Sequence, residues 1–157
     1  MGLVSTALDI VASRRLKAFD QATADPVRSQ MEAFRSLVER ASGTEWGKRF
    51  GYATIKTPEE FRRRVPVTGY AEFAPLWHRA FEGDRDVTWP GHVRFFALSS
   101  GTTSGDKIVP VTREAIASNR RSGTDLVSFL ARIGGSKALT AGKFFYLGGS
   151  TTLRERG

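Results

Sequence analysis

The chain has 157 residues, no cysteine and two histidines, and its 24 lysines and arginines exceed its 16 aspartates and glutamates to give a net charge of +8. Without cysteine there is no disulfide framework, thiol nucleophile or cysteine-based zinc site, and His78 and His92 are too far apart to suggest a local ligand pair, so we expect no structural metal. The positive charge favours an anionic ligand, although no dense basic block is interleaved with aromatic residues, which disfavours nucleic acid.

The sequence begins with a predicted amphipathic helix over residues 1–24. Its apolar positions approximate a helical stripe: Val4, Leu8, Val11, Leu16 and Phe19. Charged residues interrupt this segment, so it predicts neither a signal peptide nor a membrane span, and we expect no membrane partner.

A second helix is predicted to begin with Asp25 as its N-cap and Pro26 in its first turn, and to end at Ser42 and Gly43. Its apolar positions are Val27, Met31, Phe34, Leu37 and Val38. A short helical turn follows over residues 44–51. We interpret the aromatic residues at helical spacing in this part of the chain as core rather than as platforms for a ligand: Trp46, Phe50, Phe73, Trp77 and Phe81.

A capping box predicts the next helix, with Thr57 as N-cap, Pro58 at the first helical position and an acidic residue at Glu60. This helix is expected to stop near Val65, because Pro66 disfavours helical geometry in the residue before it. The arginines within it, and those at 120 and 121, are interpreted as solvated helix faces.

A further helix is predicted from about Gly69 to Phe81, and a strand, loop and strand over residues 93–112. The two strands are the apolar runs Val93–Leu98 and Ile108–Val111, and Pro110 confines the second to a short or edge strand. These elements predict a mixed α/β fold in which helices pack on a β-sheet whose loops carry the site.

A long helix is predicted to begin at the cap Thr112 and to end at Gly134 and Gly135. Its stripe is Ile116, Asn119, Gly123, Leu126, Val127, Leu130 and Ile133. A small polar linker and a last strand over Lys143–Leu147 follow. Because that strand calls for neighbours, we expect the 157 residues to be part of a larger domain.

The segment between the two strands, Ser99–Lys107, contains five hydroxyl side chains, two glycines and one lysine. Hydroxyl donors and glycine amides form a concave nest for an anion, and the ammonium of Lys107 adds a point charge for the same oxygens. This composition predicts a polyphosphate site.

Three alternatives compete for this loop. A Walker A loop requires a Gly-Lys-Ser/Thr ending and a following helix, whereas Asp106 precedes the lysine and Ile108 begins an extended segment. A nucleophile elbow requires a central serine, whereas the centre is Thr103. A polar surface turn that binds nothing would use the same residue types, and composition alone leaves it open.

The order of residues adds a resemblance. Ser-Ser-Gly-Thr-Thr-x-Gly-x-Lys, from Ser99 to Lys107, resembles the phosphate-binding loop of the adenylate-forming enzyme superfamily. The passage Val65–Tyr70, Val-Pro-Val-Thr-Gly-Tyr, and the Lys-x-x-Pro of residues 107–110 narrow the match to the auxin-responsive-promoter family of acyl-acid amido synthetases, which the chain resembles from about Asp25 to Leu153.

The resemblance implies that residues 1–157 are an incomplete N-terminal catalytic domain with part of the adenylate-forming enzyme fold. Members of the family are cytoplasmic ligases that use ATP and Mg²⁺ to convert a small carboxylic acid to an acyl-adenylate, and then transfer the acyl group to the amine of an amino acid. The residues that bind adenine, ribose and magnesium would lie beyond Gly157. The chain alone is therefore expected to show no acid-dependent exchange of pyrophosphate into ATP.

The resemblance also implies roles for individual residues. Those expected to bind the ATP phosphates are Ser99, Ser100, Gly101, Thr102, Thr103, Ser104, Gly105 and Lys107. Lys107 is the expected catalytic side chain, because the departing pyrophosphate gains charge. In the family the next helix lines the acyl pocket, and its inward positions here, Asn119, Gly123 and Leu126, would equally form a core stripe. The alternative function is a non-enzymatic module that binds phosphate or nucleic acid.

Overall fold

The computed structural model describes residues 2–101, 105–141 and 143, and it shows a mixed α/β architecture in which helices predominate. The helices are α1 (Gly2–Ala24), α2 (Pro26–Ala41), α3 (Glu45–Arg49), α4 (Pro58–Arg64), α5 (Tyr70–Glu82), α6 (Arg113–Gly134) and α7 (Ser136–Ala141), with a 3-10 turn at Tyr52–Thr54. Two strands, β1 (Phe95–Gly101) and β2 (Gly105–Val111), form an antiparallel hairpin.

The chain divides into two compact units. The central unit is Ala18–Gly123, and the terminal unit consists of the described residues within Met1–Lys17 and Thr124–Gly157. Helices α1 and α6 each contribute residues to both units.

Helices α2 and α4 begin at the residues that the sequence predicts. The carboxylate of Asp25 accepts a hydrogen bond from the backbone N–H of Arg28 at 3.0 Å, and the hydroxyl of Thr57 accepts one from the N–H of Glu60 at 3.2 Å. The Glu60 carboxylate accepts the N–H of Lys56 at 2.7 Å, one residue earlier than in a standard capping box. This bond holds the pKa of Glu60 below its usual value.

The ends of the next two helices also agree with the sequence. Helix α4 ends at Arg64, and the N–H of Val65 still donates to the carbonyl of Phe61 at 2.8 Å. Helix α5 has Gly69 as its N-cap and ends at Glu82, followed by the C-cap Gly83, whose φ of 113° lies in the left-handed region that favours glycine.

The core of the central unit lies where α2, α3 and the 3-10 turn meet. Its buried hydrophobic residues are Val38, Ala41, Trp46, Tyr52 and Ile55. The ring of Phe73 lies 4.7 Å from that of Trp46 and 5.0 Å from that of Trp77, measured between centroids, and the latter pair is stacked. The interpretation as core is confirmed for Trp46 and for Phe50 and Phe73, which pack against the cluster, whereas Trp77 and Phe81 are half-buried outside it.

The corner between α2 and α3 is closely packed. The buried Thr44 hydroxyl donates to the carbonyl of Ala41 at 2.7 Å and accepts the N–H of Gly47 at 3.0 Å. A Cβ atom at Gly47 would lie 2.1 Å from the carbonyl oxygen of Ala41, so only glycine fits at this position.

The predicted apolar stripes are partly wrong. Val27 and Leu37 on α2, and Val11 and Phe19 on α1, are exposed. On α6 the residues that are most buried are Ser128 and Ala131, whereas Leu126, Leu130 and Ile133 of the predicted stripe are exposed. The helices of the terminal unit bury small residues, which allow close approach but carry no hydrophobic signal in the sequence.

One ion pair joins α1 to α6 within the terminal unit. The guanidinium of Arg15 donates to both carboxylate oxygens of Asp125, at 2.7 and 2.9 Å, in the bidentate arrangement that arginine favours. The predicted polar linker after Gly135 is wrong, because Ser136–Ala141 forms helix α7. The predicted strand over Lys143–Leu147 lies, apart from Lys143, outside the described residues.

Candidate functional site

The candidate site is the hairpin formed by β1 and β2. The sequence predicts strands that end at Leu98 and resume at Ile108, but the ladder continues to the pair Gly101–Gly105. The flanking residues of the expected nine-residue loop are therefore strand, because pairing satisfies their backbone donors and acceptors. Thr102, Thr103 and Ser104, which connect the strands, lie outside the described residues.

The strand register places three cross-strand pairs at the tip of the hairpin, and every member except Asp106 is an expected phosphate ligand. Ser99 lies opposite Lys107, Ser100 opposite Asp106, and Gly101 opposite Gly105. Directly opposite residues share a face of an antiparallel pair, so the hydroxyl of Ser99 and the ammonium of Lys107 extend from the same face. Ser99 is exposed and Lys107 is half-buried, so both are accessible to a ligand.

Tyr70, the first residue of α5, contacts Lys107 and the adjacent backbone. The Nζ atom of Lys107 lies 5.2 Å from the centroid of the Tyr70 ring, a cation–π arrangement. The Tyr70 hydroxyl accepts the N–H of Ile108 at 3.0 Å. The Tyr70 ring in turn lies 5.8 Å from that of Trp77, which stacks on the aromatic core. The lysine is thus oriented by a residue that the core holds in place.

The outer edge of β2, on the side away from β1, offers no free N–H at Ile108 or at Pro110. Because Ile108 donates its N–H to Tyr70, away from β1, alternate positions of β2 face outward, and Pro110 falls on that set. Proline has no N–H, so its place on the outward set removes no bond from the ladder. The prediction of a short or edge strand agrees with the structure, since β2 is one of the two strands of the sheet within the described residues.

The extended conformation after Lys107 bears on the competing motifs. A Walker A loop and a nucleophile elbow are each followed directly by a helix. Here β2 continues to Val111, and α6 begins only at Arg113. The sequence argument against both motifs is confirmed.

Other residues considered from the sequence are not brought to the hairpin tip. Asn119, Gly123 and Leu126 of α6 are exposed, and Leu126 retains 61% of its accessible surface, so they form no core stripe in the described structure. The arginines of α4 are exposed, as predicted, and one of them forms an ion pair with Glu59. His78 is also exposed.

A cluster that the sequence did not predict lies at the base of the hairpin. The indole Nε1 of Trp89 donates to the carboxylate of Glu114 at 3.1 Å. The guanidinium of Arg40 forms an ion pair with the same carboxylate and lies 5.8 Å from the centroid of the Trp89 ring. The backbone N–H of Glu114, then the Trp89 indole and Arg40, lower the pKa of this carboxyl. Trp89 and Glu114 are 25 positions apart in the sequence, and Arg40 is farther from both, so no local motif indicates the cluster.

Neither a membrane-spanning helix nor a metal-binding cluster occurs among the residues that the structure describes. No helix among them is long and apolar enough to cross a membrane. No three histidine, cysteine, aspartate or glutamate side chains among them come together in a way that could hold a metal ion.

The chain thus combines a mainly helical α/β fold with a hairpin rich in serine, threonine and glycine that carries a half-buried lysine. The family model described as the GH3 family N-terminal domain matches residues 15–153. The chain belongs to the GH3 family, the auxin-responsive acyl-acid amido synthetases, as the resemblance predicted.

Three similar proteins are synthetases from plants. The chain is 30% identical over 129 residues to a jasmonoyl–L-amino acid synthetase of Nicotiana attenuata, an alignment covering 79% of this chain and 22% of the relative. It is 31% identical over 105 residues to a jasmonoyl–L-amino acid synthetase of Oryza sativa subsp. japonica, covering 66% and 23%. It is 30% identical over 122 residues to an indole-3-acetic acid-amido synthetase of Arabidopsis thaliana, covering 76% and 20%. The alignments thus cover about a fifth of each relative's length.

Proposed function

We propose that this chain supplies the phosphate-binding part of an ATP-dependent ligase that joins a small carboxylic acid to the amine of an amino acid. The observation that carries the proposal is the hairpin tip, where Ser99 and Lys107 share one face and paired glycines flank the connecting hydroxyl residues. Two of the similar plant proteins are named jasmonoyl–L-amino acid synthetase and indole-3-acetic acid-amido synthetase, which supports a carboxylic acid and an amino acid as substrates.

The chemistry requires stabilisation of charge on a leaving group. When a carboxylate oxygen attacks the α-phosphorus of ATP, the bond to the β-phosphate oxygen breaks and pyrophosphate departs with increased negative charge. Lys107 would hold these oxygens with its ammonium and Ser99 with its hydroxyl, because both lie on the same face of the hairpin. We assign supporting hydroxyl or amide contacts to Ser100, Gly101, Thr102, Thr103, Ser104 and Gly105.

The structure offers a reason why Lys107 would be effective. A lysine side chain is flexible, and fixing it costs conformational entropy that weakens its contribution to binding. Here the Tyr70 ring lies beside the ammonium and limits its positions before any ligand binds. No ion pair to Lys107 is formed among the side chains that the structure describes.

Magnesium, when bound with ATP, would neutralise part of the phosphate charge. The described residues do not fit a protein-held magnesium site, because no cluster of three possible ligands occurs among them. We propose ATP and Mg²⁺ as cofactors, with the described hairpin contacting the phosphates.

The test is ATP binding by the chain and its Lys107→Gln variant, measured by isothermal titration calorimetry. We expect binding about ten- to hundredfold weaker in the variant, because a charge-assisted contact to phosphate contributes about 1.5–3 kcal/mol. Lys48→Gln is the matched control, since it removes the same charge from an exposed position on α3 and is expected to leave the affinity unchanged. Equal affinities for Lys107→Gln and the parent chain would contradict the proposal.

Oligonucleotide binding at several salt concentrations tests the alternative of nucleic-acid binding. A nucleic-acid-binding module would bind oligonucleotides with an affinity that falls steeply with salt, by about one log unit per log of salt for each neutralised phosphate. We expect no such binding, and we expect ATP affinity to depend chiefly on Lys107. Acid-dependent pyrophosphate exchange in a full-length relative carrying this segment in place of its own would then test the reaction itself.

A further inference from the structure

A cavity of about 400 Å³ lies at the base of the hairpin, at the end opposite to the candidate phosphate loop. Its wall is formed by the segment that leads into β1, by Phe95 and Val111, which pair at the base of the hairpin, and by the first turn of α6. A volume of this size falls in the range of sites for small organic ligands. We call it the basal pocket.

The charge around the basal pocket is strongly positive. Three arginines from three different segments line it: Arg85, Arg94 and Arg113. Within the part of the chain that the structure describes, none of the three forms an ion pair with a carboxylate. Unpaired guanidinium groups that converge on one cavity are suited to the oxygens of carboxylate or phosphate, which they bind in a bidentate manner.

The acidic groups near the basal pocket already have partners. The carboxylate of Glu114 also lines the pocket, but it is bound by Arg40 and by the Trp89 indole. The carboxylate of Asp86 accepts the backbone N–H of Gly91 at 2.6 Å. Neither group forms an ion pair with the three arginines, so a ligand oxyanion would meet little competition from the protein.

The wall of the basal pocket is built before any ligand binds. The turn from Asp86 to Gly91 is closed by backbone and side-chain hydrogen bonds between these two residues. The start of this turn is attached to α3, because the N–H of Glu45 donates to the carbonyl of Asp86 at 2.8 Å and that of Trp46 to the carbonyl of Val87 at 3.0 Å. Preorganisation of this kind reduces the entropy that binding would otherwise cost.

An apolar surface adjoins the charged groups. Trp89, Phe95 and Val111 line the same cavity, and Phe95 is exposed although it is a large aromatic residue.

The basal pocket is distant from Lys107. Val111 and Lys107 are four residues apart along β2, or about 13 Å at the usual rise per residue of a strand. The basal pocket and Lys107 are therefore separate points on the hairpin.

We infer that the basal pocket binds a small organic anion, with its carboxylate or phosphate oxygens held by Arg85, Arg94 and Arg113 and its apolar body against Trp89 and Phe95. This site is additional to the phosphate contacts of the hairpin tip and does not depend on them. Carboxylate and phosphate ligands share the same oxyanion chemistry, and the experiment below distinguishes them.

The test titrates the chain with benzoate, with phenyl phosphate and with inorganic phosphate, using calorimetry and the fluorescence of Trp89. We expect at least one aromatic probe to bind, and to bind more tightly than inorganic phosphate, because the latter lacks an apolar body. The preference between benzoate and phenyl phosphate identifies the oxyanion. The ligand-induced fluorescence change is expected to disappear in Trp89→Phe. Failure of both aromatic probes to bind would overturn the proposal.

Variants assign the binding to the basal pocket. The double variant Arg85→Gln/Arg94→Gln is expected to weaken binding of the tighter probe about tenfold or more, and Arg94→Lys to weaken it less, because the charge is kept. The control Arg121→Gln removes the same charge from an exposed position on α6 outside the pocket, and it should leave affinity unchanged. Unchanged affinity in the double variant would overturn the proposal.

Lys107→Gln separates this proposal from the proposed function. Its effect on the aromatic probe is expected to be less than twofold, whereas its effect on ATP is expected to be large. A loss of probe binding in Lys107→Gln equal to that in the arginine double variant would place the probe at the hairpin tip and overturn the assignment to the basal pocket. Because the three arginines are exposed, these substitutions leave the core intact, which thermal unfolding of each variant verifies.

Discussion

Tyr70 performs two separable tasks, since its ring contacts the ammonium of Lys107 and its hydroxyl accepts the N–H of Ile108. Tyr70→Phe should keep the ring contact and lose the hydrogen bond, at a cost of about 1 kcal/mol in the free energy of unfolding. Tyr70→Leu should lose both and, if Lys107 binds phosphate, weaken ATP binding about threefold. Urea unfolding and calorimetry measure the two effects. Identical ATP affinities in the phenylalanine and leucine variants would contradict the orienting role of the ring.

Gly47 provides a prediction about stability alone. A Cβ atom at this position would overlap the Ala41 carbonyl oxygen, which belongs to the backbone and can move only if the corner between α2 and α3 moves. Gly47→Ala should therefore lower the free energy of unfolding by about 2–4 kcal/mol. Gly43→Ala is the matched control, because nothing lies within 4 Å of its added Cβ atom. A Gly47→Ala variant as stable as the control, measured by urea unfolding, would show the packing to be wrong.

At the scale of single elements, helix α4 should make stability depend on pH. The pKa of Glu60 is lowered chiefly by the hydrogen bond from the Lys56 N–H, so ionised Glu60 favours the folded state. That contribution is complete above the pKa of an unfolded glutamate, about 4.3, and is lost as the pH falls through the lower folded value. The unfolding temperature should thus decrease below about pH 4.3, and less so in Glu60→Gln.

Glu59→Gln is the control for this titration, because Glu59 lies in the same turn and its only described contact is a 3.6 Å ion pair between exposed side chains. Its pH profile should follow that of the parent chain. If Glu60→Gln and Glu59→Gln gave the same profile, the cap would not be the source of the pH dependence.

The helix boundaries could be predicted because the signals are local. Asp25, Thr57 and Gly69 each bond to a backbone or side-chain group within four residues, and Pro66 acts on the residue beside it. The buried faces could not, because the side of a helix that is buried depends on what packs there. In α6 the pattern favoured Leu126 and Ile133, whereas the structure buries Ser128 and Ala131.

The candidate site likewise combines features that the local sequence predicts with features that depend on tertiary packing. The order of hydroxyls, glycines and Lys107 predicted the hairpin, since all of it lies in one segment. The approach of Tyr70, 38 residues away from its Ile108 partner, and the Trp89–Glu114–Arg40 cluster arise from tertiary packing, and spacing in the sequence gives no sign of them. Helix α7 was missed because its six residues carry too little periodicity to identify a helix.

At the scale of the whole molecule, the division into units yields a prediction about local opening. The Arg15–Asp125 pair lies within the terminal unit, with side chains about 30% exposed. Asp125→Ala should remove about 1 kcal/mol, and hydrogen exchange in residues 2–17 and 124–134 should become about fivefold faster. Exchange in α3 and α5 should be unchanged.

Glu32→Ala is the comparison for that experiment, because the Arg28–Glu32 pair is exposed and lies within one helix. It should leave exchange in the terminal unit as it is in the parent chain. Faster exchange spread evenly over α1 to α6 in Asp125→Ala would show that the two units open together.

The two edges of the hairpin differ in their capacity to pair with a further strand. Tyr70 takes up the N–H of Ile108 and Pro110 offers no donor, so a third strand would find two of the required contacts missing on that side. The free margin of β1 faces no strand among the described residues and retains an uninterrupted row of peptide groups. Any widening of this sheet, whether by more of the same polypeptide or by a foreign one, must therefore proceed from β1 outward.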